Sequence, residues 1–265
     1  MVLLFVGIGT VMLPQVAWAQ TPANWTIVPS PNVRHAVGDP IVAVSCASPS
    51  ACNAVGTRVF SKRTHTLILS WNGKRWRNVH SPNAMGADFL AGVSCSASLS
   101  CVAVGDVLEN GADQTLIESW NGSAWSIVPS PNVSSTGLDS LVGVSCSSSS
   151  ACIAVGQNLA STADQTLIES WNGSTWSIVP SPNSSATSSV LNGVSCNGPS
   201  ACTSVGYDSD GNTLIESWNG SAWSIVPSPS LPPAVNALLE AVSCTSPSAC
   251  TAVGSRFPPG HRITP

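Results

Sequence analysis

Charge is scarce in this 265-residue sequence: Asp, Glu, Lys and Arg together make up 8% of it, against roughly 25% in an ordinary soluble domain. Nine Lys and Arg stand against thirteen Asp and Glu, a net charge of −4, which excludes a nucleic-acid partner held through a basic surface. The few bases are also segregated: residues 78–255 contain none, yet hold twelve of the acids. There is one tyrosine, no phosphate loop, no nucleophile elbow and no Ser-His-Asp motif, and His35, His65, His80 and His261 are scattered. No segment sustains a helical period. Beyond the N-terminus no run approaches the roughly 18 apolar residues of a membrane helix, so no membrane span is expected in the mature chain. Intrinsic disorder is excluded by a hydrophobic content of 43%, because disordered chains are polar and poor in aromatic and β-branched residues.

Cysteine, proline, glycine and tryptophan are abundant: 10, 20, 21 and 10 residues. Residues 1–19, MVLLFVGIGTVMLPQVAWA, form an apolar run ending in Ala-Trp-Ala. This pattern is that of a secretory signal peptide, although no base precedes the run. The mature protein is expected to begin near Gln20 and to be extracellular, with residues 20–265 forming a single domain.

That domain is repetitive. A first module reads IVAVSCASPSACNAVG from Ile41 and recurs from Leu90, Leu141, Leu191 and Leu239; a second reads TLILSWNGKRWRNVHSPN from Thr66 and recurs from Thr115, Thr166 and Thr213. The leading cysteines, Cys46, Cys95, Cys146, Cys196 and Cys244, are 49, 51, 50 and 48 residues apart, a period that marks a propeller blade or a solenoid unit. Each repeat divides into four short runs rich in Val, Ile and Trp, bounded by Ser, Gly, Asn and Pro, which are strands. The Asn-Gly steps read as type I′ hairpin turns. Four strands cannot cover both of their faces alone, and radial stacking does so. The expected fold is all-β, a propeller of four-stranded antiparallel blades, with Pro-Ser-Pro marking the outer edge strand.

Five first hairpins but four second hairpins are present. Trp25–Asn32 copies the fourth-strand module, so a five-bladed ring whose last blade is completed by both termini is one expectation; a fragment of a larger propeller is the other. Every first module carries Cys-x5-Cys. Cys46 with Cys52, Cys95 with Cys101, Cys146 with Cys152, Cys196 with Cys202 and Cys244 with Cys250 are read as five disulfides, each stapling its own hairpin. Paired tryptophans flank the Asn-Gly turns and are expected to face each other, either packing between blades or offering a sugar-stacking platform.

Ser-Trp-Asn-Gly-x-x-Trp, as in Ser119–Trp125, resembles a shortened Asp-box of sialidase-type blades, and the period with its Gly and Trp landmarks resembles kelch-type blades. Over residues 24–254 the chain is similar to secreted bacterial β-propeller repeat proteins with VSC…AC…AVG and WNG…W modules. The resemblance implies a fold and no activity.

The repeat-invariant turns lie at one end of the strands and the variable connections at the other, so the variable face is the binding candidate. Asp39, Asp88 and Asp139 each sit seven residues before the leading cysteine, with Ser189 and Ala237 at the other two places. They read as turn aspartates bonding their own backbone, or as a carboxylate ring that binds ligand or serves a glycosidase. Asp208, Asp210 and Asn212 form the best Ca²⁺ loop, without EF-hand spacing; no other cofactor is expected. Glu118, Glu169 and Glu216 read as solvated at a rim, as Ca²⁺ ligands or as facing a cationic partner. The leading expectation is a secreted, non-enzymatic propeller binding glycan or extracellular protein. The alternatives are a glycoside hydrolase using the aspartate ring and a structural surface module or fragment without a ligand.

Overall fold

The computed structural model describes residues 26–32, 36–160, 163–184, 186–228 and 236–257. The proposed signal segment lies outside them. Blade 1 comprises β1 (Ile41–Ser48), β2 (Ala51–Val59), β3 (Thr64–Trp71) and β4 (Trp76–Val79). Blade 2 comprises β5 (Ala87–Ala97), β6 (Ser100–Glu109), β7 (Ala112–Trp120) and β8 (Trp125–Val128). Blade 3 is formed by β9 (Leu138–Ser148), β10 (Ala151–Ala160), β11 (Ala163–Trp171) and β12 (Trp176–Ile178). Blade 4 follows with β13 (Ser189–Gly198), β14 (Ala201–Asp208), β15 (Thr213–Trp218) and β16 (Trp223–Ile225). Blade 5 contributes β17 (Asn236–Ser246) and β18 (Ala249–Phe257). Among the described residues there is no helix, and every blade is an antiparallel meander in sequence order. One parallel bridge, Asp113 to Leu138, links blades 2 and 3.

The first strands β1, β5, β9, β13 and β17 pack against one another in succession, which puts them innermost, and the short Pro-flanked fourth strands form the outer edge. The paired tryptophans face each other with ring centroids 5.6–5.8 Å apart.

All five cysteine pairs are disulfides between directly opposed residues of the first hairpin. Cys46 is bonded to Cys52, Cys95 to Cys101, Cys146 to Cys152, Cys196 to Cys202 and Cys244 to Cys250, with Cα atoms 3.9–4.0 Å apart. No cysteine is left free, so these residues are staples of the frame and supply no thiol to a ligand. Cys101 is buried against the preceding blade, whose Asn53 side chain donates to its sulfur at 3.2 Å. Cys250, on the last described blade, is exposed, and its sulfur lies 3.6 Å from the Thr203 hydroxyl of blade 4.

The Asn-Gly turns differ from the type I′ expectation. Trp171 opposes Trp176 across a four-residue loop, and only the glycine takes positive φ (Gly173, 95°). Asn172 keeps negative φ because its side-chain oxygen accepts the amides of Ser174 and Thr175 (2.9 and 3.0 Å), an Asx turn that replaces the backbone twist of I′. The pair with positive φ at both residues is Asn110-Gly111 (55° and 82°), which closes the β6–β7 hairpin in two residues; that turn conforms to I′.

Blades are joined by seams with one recurrent composition. At the second seam Val102, Val104 and Ile117 of blade 2 pack on Leu141, Ala154, Leu167 and Trp176 of blade 3. The first and third seams repeat this with Val55 and Ile68 against Leu90, and Val155 and Ile168 against Leu191. A polar tie accompanies each: Ser45, Ser94, Ser145 and Ser195 accept the backbone N–H of Cys95, Cys146, Cys196 and Cys244 of the next blade (2.9–3.0 Å). Among the described residues no comparable packing joins the first blade to the last. Val253 is accordingly 59% exposed, while its equivalents Val55, Val104, Val155 and Val205 are sealed. Thr26–Asn32 runs outside any strand, and the C-terminal residues 258–265 expected to help complete the last blade lie outside the described residues.

The glycine of each AVG triplet sits opposite a break in the register of the first strand. A Cβ on Gly156 falls 2.0 Å from the carbonyl oxygen of Ser140, whereas one on Gly198 meets nothing within 4 Å. Gly156→Ala is therefore expected to destabilise the fold by at least about 2 kcal/mol through backbone displacement, and Gly198→Ala to shift it by less than about 0.5 kcal/mol. Urea unfolding of the two variants measures both.

Candidate functional site

On the variable face Asp88 and Asp139 are the second residues of β5 and β9, and Asp39 lies two residues before β1. Asp88 and Asp139 are fully buried, and Asp39 is half-buried. Asp139 holds its own loop: Oδ2 accepts the amides of Val133 (2.6 Å) and Ser134 (3.5 Å), and Oδ1 accepts the Asn158 side-chain amide. In blade 4 Ser189 takes the same part, its hydroxyl accepting the Ser184 amide at 3.1 Å. Asp88 instead faces His65 of blade 1, with Nδ1 and Oδ2 3.9 Å apart. Burial pushes its carboxyl above the ordinary range, while His65 pulls it the other way. Asp139 and Ser189 thus anchor the loops between blades, and Asp88 and Asp139 expose no carboxylate oxygen to solvent.

The proposed cation loop is a self-contained turn. Asp208 Oδ1 accepts the amides of Asp210 and Asn212 (both 3.0 Å) and the Asn212 side chain (3.2 Å), so its oxygens are already engaged. Among the described residues no group of three or more His, Cys, Asp or Glu is placed to hold a metal ion. On blade 2 a second acidic pair, Asp106 and Asp113, opens on the variable face; burial, and then Asp113, raise Asp106 to about 6.

The glutamates expected at a solvated rim lie in the seams instead, each 0% exposed. Strand alternation puts Glu118, with Leu116, on the face that packs against the preceding blade. There the serine just before Pro82, Pro131 or Pro182 of that blade meets it. The Ser81 hydroxyl lies 3.0 Å from both Glu118 oxygens, Ser130 lies 3.1 and 2.9 Å from those of Glu169, and Ser181 lies 2.9 Å from Glu216 Oε2. Each serine is backed by a threonine of its own blade: Thr66, Thr115 or Thr166, at 2.6–2.8 Å. Leu69 replaces the glutamate in blade 1 and packs with Ala54, Leu67 and Trp76. Pattern reading missed this role because a glutamate with no base in its own repeat looks like a surface residue. The available signal was that Thr, Ser and Glu recur together in each repeat where the triad forms. The tryptophans are seam residues too: Trp125, Trp176 and Trp223 are buried in the three apolar clusters, so they pack and do not offer open platforms.

With hydroxyls as their only neutralising partners, the buried glutamates hold their protons. Burial raises Glu118 to about 8 and Glu169 and Glu216 to about 7, the serine bonds opposing; Asp88 and Asp139 add a smaller upward push on Glu118 and Glu169. The folded state therefore keeps these protons where the unfolded chain releases them, so stability is greatest below about pH 4.5 for these groups and falls as pH rises to about 8. The midpoint of thermal unfolding is expected to drop by roughly 5–10 °C between pH 5 and 9. Glu169→Gln should flatten that slope and raise the midpoint at pH 9; scanning calorimetry across the range is the check.

No protein-family model matches the chain, and no curated protein does. Solved structures do. A fungal lectin from Aleuria aurantia, described as a six-bladed β-propeller with a novel mode of fucose recognition, matches with a TM-score of 0.50 at 14% identity, over 85% of this chain and 79% of that one. A point mutant of the same lectin in complex with α-methyl-L-fucoside matches with a TM-score of 0.50 at 13% identity, over 78% and 68%. YCF48 bound to D1 peptide matches with a TM-score of 0.47 at 14% identity, over 83% of this chain, which spans 63% of that protein's length. At these identities the two lectin matches bear on the fold alone, and they agree with the blades and seams described above: the chain is an all-β array of propeller blades.

Proposed function

We propose that the protein is a secreted, non-enzymatic β-propeller that binds glycan or extracellular protein through the variable loops at one end of its blades. The observation that carries this reading is the mounting of those loops. Segments that differ in every repeat, such as 84–87 and 133–137, are held at equivalent places on a constant frame, at blades 3 and 4 through the buried oxygens of Asp139 and Ser189. Rigidly anchored variable loops are the usual form of a recognition surface. Five disulfides suit an oxidising compartment. The lectin neighbours, one recorded with a fucoside, support glycan as the first ligand class to test. A glycoside hydrolase would need carboxylates facing substrate, whereas Asp88 and Asp139 are sealed beneath the loops.

On this reading the aspartates matter through the loops they hold. The intact protein is expected to retain members of a glycan array or of a panel of extracellular proteins without turnover. Grafting 84–87 in place of 133–137 should weaken that binding at least tenfold while leaving thermal stability close to the parent's. Release of sugar by the parent, lost on substitution of Asp39, Asp88 and Asp139, would overturn the proposal in favour of the hydrolase.

A further inference from the structure

Loop 84–87, the part of the variable face at the first seam, is not anchored as its counterparts are. In blades 3 and 4 the residue after the Ser-Pro-Asn run gives its amide to the side chain at the aspartate position: Val133 to Asp139 at 2.6 Å, and Ser184 to Ser189 at 3.1 Å. Ala84 stands in that place in blade 2. It follows Asn83, whose Oδ1 accepts the Thr66 amide as Asn132 accepts that of Thr115. The Ala84 amide is near enough to Asp88 to help hold its carboxyl down, yet among the described residues neither Asp88 oxygen accepts a hydrogen bond.

A second donor competes for that carboxylate. His65 Nδ1 lies 3.9 Å from Asp88 Oδ2, about 1 Å longer than a charge-assisted hydrogen bond, and it too is buried without a partner. Phe60 backs the imidazole edge-on, with centroids 6.0 Å apart. The second seam has no such competitor: Gln114 stands where His65 stands, and its side-chain amide donates to the carbonyls of Asp113 and Ser134. Asp88 is thus set between two donors and bonded to neither. A buried acceptor left unmade is costly, so the stronger donor captures it, and a histidine changes strength as it gains or loses charge between about pH 5 and 8. The surrounding charges do not take either place. Arg58, opposite His65 in the β2–β3 pair, donates to Asn78; Lys62 and Arg63 are exposed on the connecting turn. Glu109 at the end of β6 is exposed and adds negative charge near Asp88, and Glu118 on β7 is held by Ser81.

We infer that His65 and Asp88 form a proton-operated latch on loop 84–87. Cationic His65 draws the Asp88 carboxylate across the seam and leaves the Ala84 amide unheld. Neutral His65 leaves the carboxylate to Ala84, and the loop takes the anchorage seen in blades 3 and 4. The switch is one proton on or off the imidazole, with two alternative hydrogen bonds as its two states. Met85, 90% exposed on that loop, is the side chain the latch positions, so the surface offered to a ligand at this seam differs between mildly acid and mildly alkaline solution. This regulation rests on the reading of the variable loops as the binding face. The latch is read on the protein without ligand, so the two fail separately.

The test is a pH series by NMR on the intact ¹⁵N-labelled protein between about pH 5 and 8, following amide exchange with solvent relative to the rate of an unstructured peptide. Protection of the Ala84 amide is expected to rise at least tenfold across the series, with the Met85 amide shifting in the same step. Val133, held by an aspartate that has no histidine beside it, should stay protected throughout. His65→Gln and Asp88→Asn should each remove the step, whereas Glu118→Gln, which removes the nearest seam titration, should keep it. The series on the parent stands by itself where a variant folds poorly. The proposal is overturned if Ala84 protection is level or falls as pH rises, if the step survives in a folded His65→Gln, or if a folded Glu118→Gln loses it.

Discussion

A β-sheet of four short strands has two faces and too few residues to bury either by itself, and the seam between blades is the solution this chain repeats. Each interior blade gives Val and Ile to the next blade and Leu and Trp to the preceding one, so Val55, Val104, Val155 and Val205 are sealed while Val253, with no blade beyond it among the described residues, is 59% exposed. Apolar contact is non-directional, and a smooth wall of Val and Leu tolerates sliding. The serine of each VSC motif supplies direction: its hydroxyl must accept one particular amide of the next blade, that of the leading cysteine. The disulfide beside it, as from Cys95 to Cys101, then fixes the hairpin from which that amide projects.

The fold was legible in the sequence because each of its requirements leaves a mark at a constant place. Alternation of Val and Ile marks strands, Pro-Ser-Pro marks the edge, and Cys-x5-Cys marks opposed residues of one hairpin. Turn geometry was read less well, since Asn-Gly names a preference and the four-residue loops satisfy it with an Asx turn, leaving I′ to Asn110-Gly111. The least legible feature was the seam polarity. Glu118, Ser81 and Thr66 belong to two blades, and no reading confined to one repeat places an acid against hydroxyls 37 and 52 residues upstream. Asp139 and Ser189 were legible as a position and ambiguous as a role, because an anchored loop and a ring of ligand carboxylates require the same residue at the same spacing.

Blade 1 separates what the seam requires from what it merely uses. Leu69 occupies the glutamate position and is buried among Ala54, Leu67 and Trp76, so an apolar side chain is compatible with the blade itself. A neutral glutamate buried against two hydroxyls gains little over such a leucine in net free energy, since hydrogen bonds made inside replace hydrogen bonds made to water. Its contribution is positional. A carboxyl that must meet the serine just before Pro82, Pro131 or Pro182 ties the outer end of one blade to the third strand of the next, as the VSC serine ties the inner end.

Two ties per seam, one near the axis and one near the rim, fix both the spacing and the tilt of adjacent blades, and that accounts for the division of the molecule into constant and variable parts. A seam residue answers to two blades at once, and a change on one side leaves a buried polar group unmade on the other. A residue in the 84–87 or 133–137 loops answers only to its own anchor. The sequence can therefore diversify at the loops while the frame remains nearly identical from repeat to repeat.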